Sequence, residues 1–172
     1  MAGRNSHRVD GEKEYRGGYP NGALHDQSRE WPHIRFVMAG GGELLEKIKE
    51  KAPPNVKVIG WTDAALFWSA VDCAISTSDN EGMPIALIEA QLAGVPVIAT
   101  DVGSCSEVIE HQITGIITSN ESLKLQIEVE RLVTDNGLRE TMGAAAKEWS
   151  RRKFSPITML TVHEHFYKHL AN

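Results

Sequence analysis

The sequence predicts an α/β fold, a Rossmann-like parallel sheet with helices on both faces. Two observations predict it. From Ile34 onward, short apolar runs alternate with segments whose apolar residues recur at helical spacing. The apolar runs are close to continuous, as in strands buried on both faces, and a helical segment follows most of them, the order that builds parallel strand–helix–strand units.

The elements follow in order. IRFVMA at 34–39 is a compact strand signal, broken by the glycines at 40–42. In ELLEKIKEK at 43–51, Leu44, Leu45 and Ile48 share one face and the charges take the other, which predicts an amphipathic helix. VKVIG at 56–60 is the second strand, DAALFWSA at 63–70 a short helix and CAIST at 73–77 the third strand. PIALIEAQLAG at 84–94 is a helix that Gly94 stops; VPVIAT at 95–100 and TGIIT at 114–118 are the last two strands. From about residue 121 the chain reads as three helices, ESLKLQIEVERLV, LRETMGAAAKEWSRRK and, after Pro156, ITMLTVHEHFYKHL. Residues 1–30 carry Gly11, Gly17, Gly18, Pro20 and Gly22 among many charges and no apolar run, so no buried strand is expected there. A short helix at 22–31 is the most they predict. The expected division is a polar leader or truncated domain start at 1–30 and one ligand-binding domain at 31–172.

Composition bounds the function. A chain of 172 residues can form one domain with a real core. The net charge of −5 argues against nucleic acid as a partner, because a phosphate-coating surface needs a basic excess to displace counterions. Cys73 and Cys105 make no disulfide framework and read as packing thiols. No stretch approaches the roughly 18 apolar residues of a membrane span, and the N-terminus lacks the apolar centre of a secretory signal. The expected location is cytoplasmic.

Parallel sheets bind ligands at the carboxyl ends of their strands. The stretch SDNEGMPIALIEAQLAG is the most informative of these ends. A polar loop with Gly82 leads to Pro84, placed where a first helical residue is favoured. The helix start then offers free amides, those of Ile85 and Ala86 foremost, and its dipole, an anion site. Glu81 precedes that site. Glu89 follows Pro84 by five residues, about 7–8 Å along the axis, among the small Ala86, Ala90 and Ala93. A partly buried carboxylate needs donors, and a ribose diol offers two hydroxyls. Carboxylate, anion site and carboxylate match sugar, diphosphate and ribose. Taken singly, either Glu reads more simply as a solvated or dipole-favouring residue; the spacing and context favour the ligand.

The run from Glu81 to Glu89 resembles the E-x7-E element of the large retaining glycosyltransferases called group 1 or family 4. Ala93–Thr100 and Asp101-Val102-Gly103 are similar to the strand and glycine turn that follow it, and Phe36–Gly42 and Val56–Trp61 to upstream strand-and-loop elements. The resemblance covers roughly residues 30–170. It implies one half of a GT-B enzyme: the C-terminal, donor-binding domain of two Rossmann-like domains that face a cleft. It implies that Glu81 contacts donor-sugar hydroxyls and Glu89 the ribose. Amides around Gly82, Met83, Ile85 and Ala86 would face phosphate or sugar. Gly40 and Gly41, with Gly42, would lie near the phosphates, and Trp61 and Thr62 near the base. It implies a UDP- or GDP-linked sugar as donor, no cofactor and no metal, and this sequence has no Asp-x-Asp. The implied partners are an acceptor glycan, lipid or small molecule and an N-terminal GT-B domain, with peripheral membrane association conceivable for the full enzyme.

The family domain opens with a strand ending in Gly-Arg and a Lys about five residues later. Here Gly3-Arg4 resembles the tail of that strand, with Lys13 nine residues on, so Arg4 and Lys13 are the candidates for a phosphate clamp and a polar leader is the alternative. In a 3-2-1-4-5-6 sheet the absent strand is central. The expectation is a truncated chain or one completed by another polypeptide, and direct pairing of 34–39 with 73–77 would refute it. Two other classes compete. One is an NAD(P)-binding domain, from Gly40-Gly41-Gly42 with Asp63 about 20 residues on, although Leu45 takes the third glycine's place. The other is a non-catalytic nucleotide-sugar-binding module. His163, His165 and His169 read as surface or domain-contact residues, Trp61, Trp68 and Trp149 as packing residues, and Arg151, Arg152 and Lys153 as a solvated helix end.

Overall fold

The computed structural model describes residues 34–170. The order is β1 (Phe36–Ala39), α1 (Leu45–Lys51), β2 (Val56–Gly60), α2 (Ala64–Ser69), β3 (Ala74–Ser76), α3 (Ile85–Ala93), β4 (Val97–Thr100), α4 (Cys105–Val108), β5 (Gly115–Thr118), α5 (Ser122–Thr134), α6 (Asn136–Lys153) and α7 (Pro156–Leu170). All five predicted strands are present and every pairing is parallel. Sequence reading missed the single turn of α4. It also began α6 two residues late, because Asp135 caps that helix by accepting a hydrogen bond from the Leu138 amide at 2.8 Å.

The strands form two sheets, β1–β2 and β3–β4–β5. β4 runs between β3 and β5 and is buried at every position. Its side chains alternate between two cores. Val97 and Ala99 join Leu87, Ile88 and Ala90 of α3 with Cys105 and Val108 of α4. Ile98 joins Ile116 with Leu125, Val129 and Leu132 of α5 and Met142 of α6. That arrangement is why VIAT reads as a continuous apolar run.

α3 ends where Gly94 takes the left-handed conformation at φ 87° and its amide closes the helix on Ala90 and Gln91. α6 crosses this end at Gly143. A methyl there would meet the Gly94 carbonyl, so glycine is what lets the helices approach.

β1 and β3 are not paired. Their facing edges instead line one cavity of about 580 Å³, whose walls include Phe36, Val37 and Met38 on one side and Cys73, Ile75 and Ser76 on the other. Among the described residues no strand joins the two sheets. Ile34, just ahead of β1, is buried in the Ile98 core and links the two sheets on one face. α7 buries none of its residues among those described and exposes Met159, Val162, Phe166 and Leu170.

Candidate functional site

The cavity reaches the carboxyl ends of β1 and β3, and its lining includes Glu81, Met83, Pro84, Ile85, Ala86, Glu89 and Thr62. The structure therefore brings both predicted carboxylates, three of the predicted helix-start residues and Thr62 to one space. Gly82, Gly40, Gly41 and Trp61 do not line it. Trp61 is exposed, with its indole lying over Gly41, where a side chain would collide with the ring. Arg4, Lys13 and the short helix expected at 22–31 lie outside the described residues.

The start of α3 differs from expectation by one residue. Pro84 is the cap and the helix begins at Ile85. The Ile85 amide, expected to be free, donates to the Met83 carbonyl at 2.9 Å. Leu87 and Ile88 both donate to the Pro84 carbonyl, at 3.0 and 3.3 Å. The Ala86 amide has no backbone acceptor among the described residues, so it is a donor left for an anion at this helix end.

Glu89 is half-buried, as its alanine neighbours predicted. Among the described residues no donor reaches its carboxylate, which therefore offers its full accepting capacity to the cavity. Glu81 is held differently. The Ser78 hydroxyl donates to Glu81 Oε1 at 2.6 Å, the length of a charge-assisted bond. The Ser76 hydroxyl donates to Ser78 Oγ at 3.3 Å, and the Thr100 hydroxyl donates to the Ser78 carbonyl at 2.6 Å. Gly103, at φ 52°, packs against the Glu81 peptide so closely that an added Cβ would lie 2.7 Å from the Glu81 carbonyl carbon.

Sequence reading missed Ser76, Ser78 and Thr100 and used Gly103 only as a motif residue. The available signal was the Ser-x-Ser pair at a strand's carboxyl end, whose side chains leave the strand on one face. Nothing local pointed to Thr100, whose partner is 22 residues away.

The cavity's charges are separated. Glu81 and Glu89 stand at the carboxyl end, while Asp72 and Arg35 line the opposite end, at the starts of β3 and β1. Among the described residues no lysine or histidine lines the cavity. Cys73, in the wall, is pushed up to about 12 by burial; Arg139 opposes the shift and Asp72 adds to it. Burial also raises Cys105, with Glu81 and Asp101 adding to the effect. Both are protonated packing thiols, as expected from their spacing.

Other predicted roles resolve on the same geometry. Asp63, the acid of the NAD(P) reading, caps α2 by accepting from the Leu66 amide at 2.9 Å. Trp68 packs against the α3–α4 core. Arg151 and Arg152 are solvated. Lys153 is exposed but engaged: it donates to the Glu107 carbonyl and lies 4.4 Å from the Trp149 ring centre. His163, His165 and His169 are exposed on α7. No described helix is long and apolar enough to cross a membrane.

The family profile of the glycosyl transferases group 1 matches residues 22–135. The chain belongs to the group 1 glycosyltransferases. Among curated proteins, this glycosyltransferase chain is 39% identical over 130 residues to a GDP-mannose-dependent alpha-(1-6)-phosphatidylinositol monomannoside mannosyltransferase of Mycobacterium tuberculosis, covering 66% of the chain and 34% of that protein. It is 25% identical over 146 residues to human Alpha-1,3/1,6-mannosyltransferase ALG2, covering 75% of the chain and 35% of that protein. Its fold matches sucrose-phosphate synthase from Thermosynechococcus elongatus, with a TM-score of 0.76 at 21% identity over 86% of the chain and 41% of that structure. It also matches Anabaena HepE in complex with UDP and glucose, with a TM-score of 0.70 at 23% identity over 87% of the chain and 44% of that structure. The fold is that of GT-B glycosyltransferases, and the chain spans about a third of the length of the curated relatives it matches.

Proposed function

We propose that residues 31–172 are the donor-binding half of a retaining glycosyltransferase that moves a hexose from a nucleoside diphosphate to an acceptor hydroxyl. One observation carries the reading: Glu81, the head of α3 and Glu89 line a single cavity that reaches the carboxyl ends of β1 and β3. In this reading Glu89 accepts the two ribose hydroxyls, the Ala86 amide and the α3 dipole receive the diphosphate, and Glu81 holds the sugar.

Each role has a physical consequence. As the glycosidic bond breaks through an oxocarbenium-like state, charge grows on the leaving diphosphate, and a preorganised amide and dipole stabilise it there. Glu81 fixes the sugar in a reactive geometry. Glu89 grips a part of the donor that does not change during reaction, so its contribution falls on affinity. The described cavity supplies no cation at the phosphate end, so the charge must come from elsewhere; Arg4 and Lys13 are this chain's candidates. The acceptor site and any general base belong to the facing domain, so this chain alone binds donor weakly and turns over little. A strand between β1 and β3 would complete the sheet and raise that affinity. Relatives that use GDP-mannose and neighbours that hold UDP support a nucleotide sugar as donor and leave the base open.

The test is calorimetry of the 172-residue chain against UDP-, GDP- and ADP-linked sugars, with NAD as a control. Glu89→Gln is expected to weaken every nucleotide that binds by about tenfold, the size of a lost charged hydrogen bond. Binding of NAD alone, or unchanged affinity in both Glu89→Gln and Glu81→Ala, rejects the reading.

A further inference from the structure

The carboxylates on the cavity wall are not equivalent. Glu89 meets no donor among the described residues, whereas Glu81 accepts from Ser78 and its peptide packs against Gly103. These contacts reach across the sheet. Ser78 follows β3, Thr100 closes β4, and Gly103 sits in the turn after β4. Ser78 is only 6% exposed, so its hydroxyl cannot trade Glu81 for water at no cost. Its carbonyl is taken by the buried Thr100 hydroxyl, which fixes the Ser78 backbone from which the Oγ projects. Gly103 limits the Glu81 peptide on the other side.

We propose that Ser78 is a positioning residue for the donor sugar: its hydroxyl occupies Glu81 Oε1, and with Gly103 behind the peptide it leaves Oε2 as the oxygen presented to a sugar hydroxyl. The inference rests on Glu81 being the sugar contact and adds what holds it there. A free glutamate samples several rotamers and loses that freedom when it binds a ligand. Here the rotamer is set before the sugar arrives, so the binding energy of the sugar hydroxyl is not spent on ordering the acid. Ser76 extends the device, because its hydroxyl donates to Ser78 Oγ and strengthens that oxygen's own O–H as a donor.

The experiment compares bare nucleotide with sugar nucleotide, by calorimetry on the 172-residue chain with UDP against UDP-glucose and GDP against GDP-mannose, using the pair that the parent binds more tightly. Ser78→Ala is expected to leave the bare nucleotide within about twofold and to weaken the sugar nucleotide about tenfold. Ser78→Thr, which keeps the hydroxyl, is expected to restore the sugar-dependent part. Gly103→Ala, which pushes the Glu81 peptide aside, is expected to copy Ser78→Ala, and it decides the matter if Ser78→Ala does not fold by circular dichroism. Equal weakening of both ligands in Ser78→Ala would make Ser78 merely structural and overturn the proposal. Full retention of the sugar-dependent part in both Ser78→Ala and Gly103→Ala would also overturn it. Glu81→Gln separates the two layers. If Glu81→Gln loses the sugar-dependent part and the Ser78 and Gly103 variants do not, only the positioning role falls. If Glu81→Gln also keeps it, the role of Glu81 falls first.

Discussion

The two sheets contain strands of similar composition in different circumstances. IRFVMA and VPVIAT are both short, apolar and β-branched, yet β4 is buried throughout, while Val37 in the middle of β1 is 39% exposed. The difference lies in the neighbours. β4 has a paired strand on each side, α3 and α4 over one face and α5 and α6 over the other. β1 has β2 on one side and a cavity on the other, and α1, which packs against β2, buries no residue. A strand's stability comes from what covers its faces and edges more than from its own residues.

Four outcomes test that contrast. The largest is expected at Ile98. Ile98→Ala removes a fully buried side chain between two strands and should cost about 3 kcal/mol in urea unfolding. A cost under about 1 kcal/mol would mean that the three-stranded half is not the stable core. Next is Gly143→Ala. The added methyl meets the Gly94 carbonyl and should separate α3 from α6 at a cost of about 2 kcal/mol, read as a lowered melting temperature. Third is a pH effect at Cys73. Its folded-state value lies above the unfolded one, so its contribution is fully present below about pH 9 and is lost as pH rises toward about 12. The parent's urea midpoint should therefore fall more steeply across that window than that of Cys73→Ala, and iodoacetamide should label Cys73 slowly at neutral pH. The smallest effect is Val37→Ala, expected to cost under about 1 kcal/mol because the side chain is already partly in water. Joining an apolar strand ahead of residue 1 should sharpen the contrast. If it enters the cavity between β1 and β3, amide exchange at both strands slows and Val37→Ala becomes costlier; if neither changes, the cavity is not a strand site.

Much of this was legible beforehand, for identifiable reasons. A strand buried on both faces reads as a mostly apolar run, which marked β4, and Gly94 marked the end of α3 because few other residues adopt its φ. Glu81 and Glu89 were legible because they sit on one loop and one helix, where spacing in sequence is spacing in space. α4 was not legible, since a single turn of four residues has no period to read. The state of the Ile85 amide was not legible either, because it depends on whether the Met83 carbonyl turns toward it.

The sequence by itself determined the alternation of strand and helix, the apolar run of β4, and the two acids around one helix start, because all of these follow from local periodicity and backbone preference. Only the tertiary structure decided that β1 and β3 stand apart across a cavity, that Glu89 has no internal donor while Glu81 has one, and that Thr100 and Gly103 reach the loop carrying Glu81. Those are contacts between segments that meet only when the sheet and its turns assemble, and no local pattern of residues encodes a distance across it.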